Sequence, residues 1–512
     1  MKSVTKLLSV GAVLLFGSLT AGLDVESAPL SETHEAAGQR PMIEPEYGAS
    51  YEITIPADNR QIAIVKASLI PIDRELYMFP GANQFPARWS TFVSNLEVND
   101  KDENLLPISA MEDGTWQLSE MPQGRITISY QVNLEHETHA WSGGVDGAAY
   151  AREWGVFFTA RSLFVVNGEV RKNISVTFHL PRQWRVTAPW QKQVGNATHF
   201  TVADHEVLAT SMFFAGTHKE VSVRHGPFEL LLALGGEHVS AQEEVFVDMA
   251  KGVLDYYTDL MGDVPRLRSR DAQGPPVVII NEGAATDGEA IGNNISILLE
   301  PADDQMSRTI AQLIFAHEFF HLWNGKSFAP IGDDAEWFKE GFSNFYTLKA
   351  LHHIGHLTDE SYLDLLANFF YQRYDGDDAV GRLSMTNGEL KHDHWGLIYS
   401  GGLFVAIAQD LQIRSATGNQ KSLDDLMRFM FDKYADSSYD STDIKRALGD
   451  LNNASQEDFF NRYIFGTERL PVSQYLILAG IETRQENGQT AFEIQENPAE
   501  DKSDIRRGLF SH

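Results

Sequence analysis

Between Tyr51 and about Val223, apolar and polar residues alternate in short runs. Tyr51-Glu52-Ile53-Thr54-Ile55, Arg125-Ile126-Thr127-Ile128-Ser129-Tyr130 and Ile174-Ser175-Val176-Thr177-Phe178 each put their apolar side chains on one face, as a half-buried strand requires. Pro, Gly, Asn and Asp clusters separate the runs, which predicts a β-sandwich or a large curved sheet. Near Gly235 the period changes. Ser240 and Glu243 have capping-box spacing ahead of an amphipathic helix to about Met261. Pro276 to Ile280 reads as a buried strand, and Asn294 to Leu299 as a second strand. Helical periodicity runs from about Asp304 to Phe320, with Ile310, Leu313, Ile314, His317 and His321 on one side. A further helix is expected to start near Asp333 or Asp334 as N-caps and to carry Trp337, Phe338, Phe342 and Phe345. After Ala350 the pattern is mostly helical to about Tyr463, Gln485 to Gln489 marks a hairpin, and the last dozen polar residues are expected to be loose.

These elements describe an α+β multidomain chain. The expected divisions are a signal peptide at 1–22, a flexible leader at 23–48, a β-sandwich-like domain at 49–225, a catalytic domain at 226–350, a helical domain at 351–480, and a hairpin with a polar tail at 481–512. The signal is read from Lys2 and Lys6, the apolar run Leu7 to Leu19, and the small residues Ala21 and Gly22. It predicts an exported protein, periplasmic or secreted, with no membrane span in the mature chain. The formal net charge of −30 argues against nucleic-acid binding, which needs clustered Lys and Arg. There is no cysteine among the 512 residues. Any metal site must therefore use histidine and carboxylate.

One such site is written in His317-Glu318-Phe319-Phe320-His321. Residues four apart lie one helical turn apart on the same face, so both imidazoles can reach one ion. Glu318 leans about 100° around the helix, which suits a general base better than a ligand. Histidine occupies 17 of 512 positions, so the pattern would arise by chance in on the order of a few per cent of such chains. A catalytic zinc needs a third protein ligand, and Asp333, Asp334, Glu336 and Glu340 are the candidates. The metzincin pattern is absent, since Asn324 and Ser327 stand where its glycine and third histidine would be. Glu340, followed by Gly341, which leaves room for close helix packing, is the preferred ligand. Glu336 is the fallback, or a partner for a histidine ring. His352, His353 and His356 suit the C-terminal end of a helix, while His392 and His394 could border a cleft.

His317 to Lys326, then Pro330, then Trp337-Phe338-Lys339-Glu340-Gly341-Phe342 resemble the gluzincins, and specifically the glycyl aminopeptidase family. Tyr399-Ser400-Gly401-Gly402-Leu403, Gln409 to Arg414, Ser422 to Met427, Gly466-Thr467 and Leu470-Pro471 extend the resemblance, which is firm from about Gly235 to Gly480. It implies a β-rich N-terminal domain, a thermolysin-like catalytic domain and a helical C-terminal domain. It also implies peptide or protein substrates, one zinc ion per chain, water activated by Glu318, and Tyr399 donating to the developing oxyanion. Three departures stand out. A PDZ domain common in the family is expected to be missing after Gly480, Ser327 stands where the family often has Arg, and Gly292 falls at the position of an amine-binding glutamate. Glu289 is the candidate substitute for that anchor. Gly235-Gly236-Glu237-His238 is read as a turn. The segment Asn294 to Leu299 is expected to be the edge strand that pairs with substrate.

Overall fold

The computed structural model describes residues 48–510, apart from 140, 142–146, 268–273, 285, 302–304, 436 and 487. The expected signal peptide and nearly all of the leader lie outside these residues.

The alternating runs form strands as predicted. Ile62–Leu69 and Ile126–Asn133 bury every second residue and pair antiparallel along eight positions. They belong to a seven-stranded sheet whose central strands are Lys172–His179, Ala49–Thr54 and Ile62–Leu69. Two four-stranded sheets complete the N-terminal domain, and side chains of all three close over one core that includes Tyr51, Val65, Leu76, Phe158, Val176 and Phe213. The layered β architecture expected from the alternation is present.

The next part of the chain is built on a five-stranded sheet: β1 (Lys219–His225), β2 (Phe228–Gly235), β3 (Val277–Glu282), β4 (Asp287–Ile291) and β5 (Asn294–Leu299), in the order β1-β2-β3-β5-β4. β2, β3 and β5 run parallel, while β4 returns antiparallel along β5. One face carries the helices. On the other, Ala233, Val277, Ile279, Ile291 and Leu298 meet Tyr150, Phe157, Met212 and Phe214 of the N-terminal domain. Burial on both faces explains why β3 and β5 read as continuous apolar runs.

Here the structure corrects two expectations. β1 falls on the N-terminal side of a boundary at 225, yet it pairs along its whole length with β2. The free edge is β4, because β5 is bonded on both sides. Only Gly292 and Asn293 separate β4 from β5, and Gly292, at φ +57°, makes the tight reversal. Asp287-Gly288-Glu289-Ala290-Ile291 has little β-branched character, so its pairing, not its propensity, makes it a strand.

Helix α1 (Glu243–Met261) starts at Gln242 without a side-chain cap. The expected Ser240 box does not form: Ser240 Oγ donates to the Leu234 carbonyl, and Glu243 pairs with Lys219. Helices α2 (Gln305–Phe320) and α3 (Glu336–His353) follow, then a π-wound turn, Gly396–Ser400, that continues into α4 (Gly401–Thr417). α3 also lacks an aspartate cap, because Asp334 is turned to the backbone N–H of Ser441. Gly396–Thr417 is long and apolar enough to cross a membrane, but 94% of its apolar window is buried inside the protein. It is the spine of the helical region.

The tail is ordered, contrary to the expectation. Helix α5 (Glu500–Phe510) docks Ile505, Leu509 and Phe510 into the core, with the Phe510 ring 4.8 Å from Tyr362 and 5.5 Å from His352. Three apolar residues on one face suffice where a receiving groove exists, and a mostly polar sequence gives no sign of the groove. The predicted hairpin is present as Ile481–Glu486 paired with Gln489–Ile494.

Candidate metal centre and its cleft

α2 and α3 pack side by side and bring one face of each together. His317 Nε2 and His321 Nε2 lie 3.0 Å apart, and Glu340 Oε2 is 3.3 Å from the first and 3.2 Å from the second. All three side chains are buried. Tetrahedral zinc with ligands at roughly 2 Å requires ligand atoms roughly 3.3 Å apart, so the spacing fits. The tautomer fits as well. His321 Nδ1 is 2.8 Å from the Asn324 carbonyl, which can only accept, so Nδ1 carries the proton and Nε2 presents a lone pair. Two imidazole nitrogens and a carboxylate oxygen that converge in this way could hold a metal ion. Among the described residues, one other group of three ligand-type side chains converges: exposed Asp378 with partly buried Asp377 and His394.

Glu336, the fallback ligand, lies outside the converging group and is engaged by two lysines. Its carboxylate takes Lys339 Nζ at 3.1 Å on both oxygens and a short bond from Lys391. Glu340 divides its oxygens: Oε2 faces the histidines, while Oε1 meets Lys391 Nζ at 3.0 Å and Lys339 Nζ at 3.2 Å. Burial would raise the Glu340 carboxyl, but Lys391, Lys339 and the histidines outweigh it and hold it well below the usual carboxylate range.

Glu318 is not part of this converging group, as its helical offset leads one to expect. Oε2 is buried and has no hydrogen-bond partner among the described residues. An orphaned carboxylate oxygen costs stability unless a ligand uses it. The Tyr399 ring lies 6.3 Å from the His317 ring and stacks on Trp395 at 5.1 Å, nearly parallel. π-turns inside α-helices recur at functional sites, and Tyr399 sits in one. Its helix meets α3 at two glycines. A Cβ on Gly341 would fall 2.2 Å from Gly402 C, and one on Gly402 would fall 2.0 Å from the Trp337 carbonyl oxygen. The expected close packing beside Glu340 is present, with α4 as the partner.

Glu289 is buried on the edge strand. Its Oε2 accepts a short hydrogen bond from the Gly147 N–H of the N-terminal domain. Burial pushes its pKa up to about 8; Gly147 and Arg161 oppose that rise, and Asp287 and Glu318 add to it. Lys326 is driven down to about 8 by burial and by Lys339, with Glu318 opposing. Ser327 is a structural residue, donating to the Leu322 carbonyl and accepting from Arg266 N–H. His394 pairs with Asp377, whose other oxygen takes Leu397 N–H at the turn bearing Tyr399. His352 pairs with exposed Asp359. Gly235 to His238 do not form the expected turn: Gly235 ends β2, Gly236 bends at φ +93°, and Glu237 and His238 open a short helix, Glu237–Ala241.

Three positions were not legible as site residues: Lys391, Gly147 and Arg161. None carries a local signal, because each reaches the cleft from a distant part of the chain. Asn324 had one available signal, its place in the loop between the ligand helices. Its side-chain amide donates to the Lys339 carbonyl at 3.1 Å and fixes the turn before Glu340.

Two family comparisons match this organisation. Residues 80–217 match the Peptidase M61 N-terminal domain, and residues 285–463 match the Peptidase family M1 domain. The second match holds α2, α3 and the Tyr399 turn. The segment from 285 to 463 is thus similar to M1 peptidase domains. Among solved structures, an aminopeptidase N family protein from Idiomarina loihiensis superposes with a TM-score of 0.73 at 18% identity. The match covers 88% of this chain and 82% of that one, and at this identity it establishes the shared fold. A search of curated proteins returned no match. The chain therefore joins a segment similar to the M61 N-terminal domain to one similar to the M1 peptidase domain.

Proposed function

We propose that this peptidase is a zinc-dependent aminopeptidase whose metal ligands are His317, His321 and Glu340. The observation that carries the proposal is the convergence of two imidazole Nε2 atoms and one carboxylate oxygen at tetrahedral spacing in a buried pocket. When bound, zinc supplies Lewis-acid polarisation of the scissile carbonyl and makes water acidic enough to lose a proton near neutral pH. Glu318 takes that proton on its carboxylate, where burial and the lack of a partner leave Oε2 available, and returns it to the leaving amine. The Tyr399 hydroxyl donates to the carbonyl oxygen of the substrate as charge develops there. The free edge of β4 pairs with an extended peptide backbone. Glu289, on that strand, takes the free amine.

A second reading has its own support. Glu289 already accepts the Gly147 N–H and lies beside the Arg161 charge, so an endopeptidase without an amine anchor is the competing assignment. Matched peptides with free and acetylated N-termini separate the two. The aminopeptidase reading expects acetylation to abolish cleavage and Glu289→Gln to weaken binding of the free peptide. Equal rates on both peptides would transfer the assignment to the endopeptidase. We propose also that the chain is exported, on the strength of residues 1–22, and that its domains divide near 217 and near 350.

A further inference from the structure

Lys391 reaches the metal site from a segment that carries none of the ligand motif. It lies 51 residues beyond Glu340 and 55 beyond Glu336, yet it bonds both. The segment is docked tightly. A Cβ on Gly388 would fall 2.0 Å from the Asp333 carbonyl oxygen and 2.7 Å from Glu336 Cβ, so the stretch from Gly388 to Lys391 lies against the start of α3. Eight residues further on is Tyr399. The four charged groups Glu336, Lys339, Glu340 and Lys391 are all buried and sum to zero.

A carboxylate offered to a cation can bind through one oxygen or through both. At Glu340 that choice is restricted, because Oε1 accepts from two ammonium groups and only Oε2 is turned toward the histidines. Lys339 alone would not fix this arrangement. It is on the same helix and splits its contacts between Glu336 and Glu340. Lys391 comes from a separate segment and is itself anchored by Glu336.

We propose that Lys391 is a positioning residue that reserves Glu340 Oε1, confines the carboxylate to one-oxygen metal binding, and ties the Tyr399 segment to the ligand helix. The proposal rests on the zinc reading above. Its physical basis is that groups behind the ligands fix their orientation and are worth about 10- to 100-fold in metal affinity. A single Lys391 deletion also changes the site charge, so the informative variant is Glu336→Gln/Lys391→Met, which removes one charge of each sign.

The test uses the full chain stripped of metal, with zinc affinity from competition with a chromogenic chelator and the visible spectrum of the cobalt(II)-loaded protein. The expected result is a zinc Kd raised 10- to 100-fold and a weaker cobalt absorption as Glu340 becomes a two-oxygen ligand. Lys391→Arg is expected to restore both readouts, and Lys391→Gln, whose amide still donates, to raise the zinc Kd by a measurable factor below about tenfold. If the double variant does not fold, Lys391→Gln carries the test. Zinc affinity and cobalt spectrum equal to those of the parent in the folded variant would overturn the assignment and leave the peptidase reading standing. A parent chain that binds no zinc would overturn both.

Discussion

Replacing Gly341 with alanine probes how α3 and α4 hold the two halves of the site together. The added Cβ would lie 2.2 Å from Gly402 C, 2.3 Å from Gly402 Cα and 2.5 Å from Leu403 N. Carbon atoms in contact sit at about 3.5–4.0 Å, so the helices must separate by about 1 Å or more, and the obstructing atoms are backbone that cannot rotate away. Overpacking of this kind costs about 1–3 kcal/mol of stability. The functional cost is expected to be larger. Glu340 precedes Gly341 on one helix, while Tyr399 sits in the turn that leads into the other. Separation moves the phenol away from the metal ligands, and a 1 Å misplacement costs about 100-fold in rate. The proposed zinc ligands lie on α2 and α3, not on α4, so zinc affinity is expected to stay within about tenfold. The assay is kcat/KM on the best peptide substrate, with zinc content and urea unfolding measured in parallel. Gly376→Ala, which meets nothing within 4 Å, is the control. A Gly341→Ala protein with stability and kcat/KM within twofold of that control would refute the packing argument.

Glu318→Gln is expected to keep zinc and lose about 10²- to 10⁴-fold in kcat, whereas Glu340→Ala is expected to lose zinc; metal analysis beside turnover separates the roles, and full turnover by Glu318→Gln would remove it as the base. His136 and His218 give the fold a pH dependence: burial lowers each to about 3, against about 6.5 in an unfolded chain. Both are neutral when folded, so their contribution is complete above pH 6.5 and is lost as pH falls toward 3. At pH 5.5 each withdraws about 1.4 kcal/mol. Urea unfolding at pH 7.5 and 5.5 checks this, and a His136→Gln protein with undiminished pH dependence would refute the assignment for that residue.

The sequence by itself determined whatever depends on local periodicity. The turn from His317 to His321 needs only helical geometry to align two imidazoles, and Glu340 with Gly341 could be named from a short motif on the next helix. The alternating strands of the N-terminal domain and the buried strands β3 and β5 followed from spacing in the same way. Tertiary structure decided what depends on which segments meet. Asp287–Ile291 is the edge because Gly292 folds it back on β5, a pairing that five residues of weak propensity do not announce. The polar tail becomes α5 because a groove beside His352 and Tyr362 accepts Leu509 and Phe510. Lys391 joins the metal site across 51 residues, since only a folded chain can hold two lysines and two glutamates together away from water. Local rules fix the ligands; long-range packing fixes the charges that orient them.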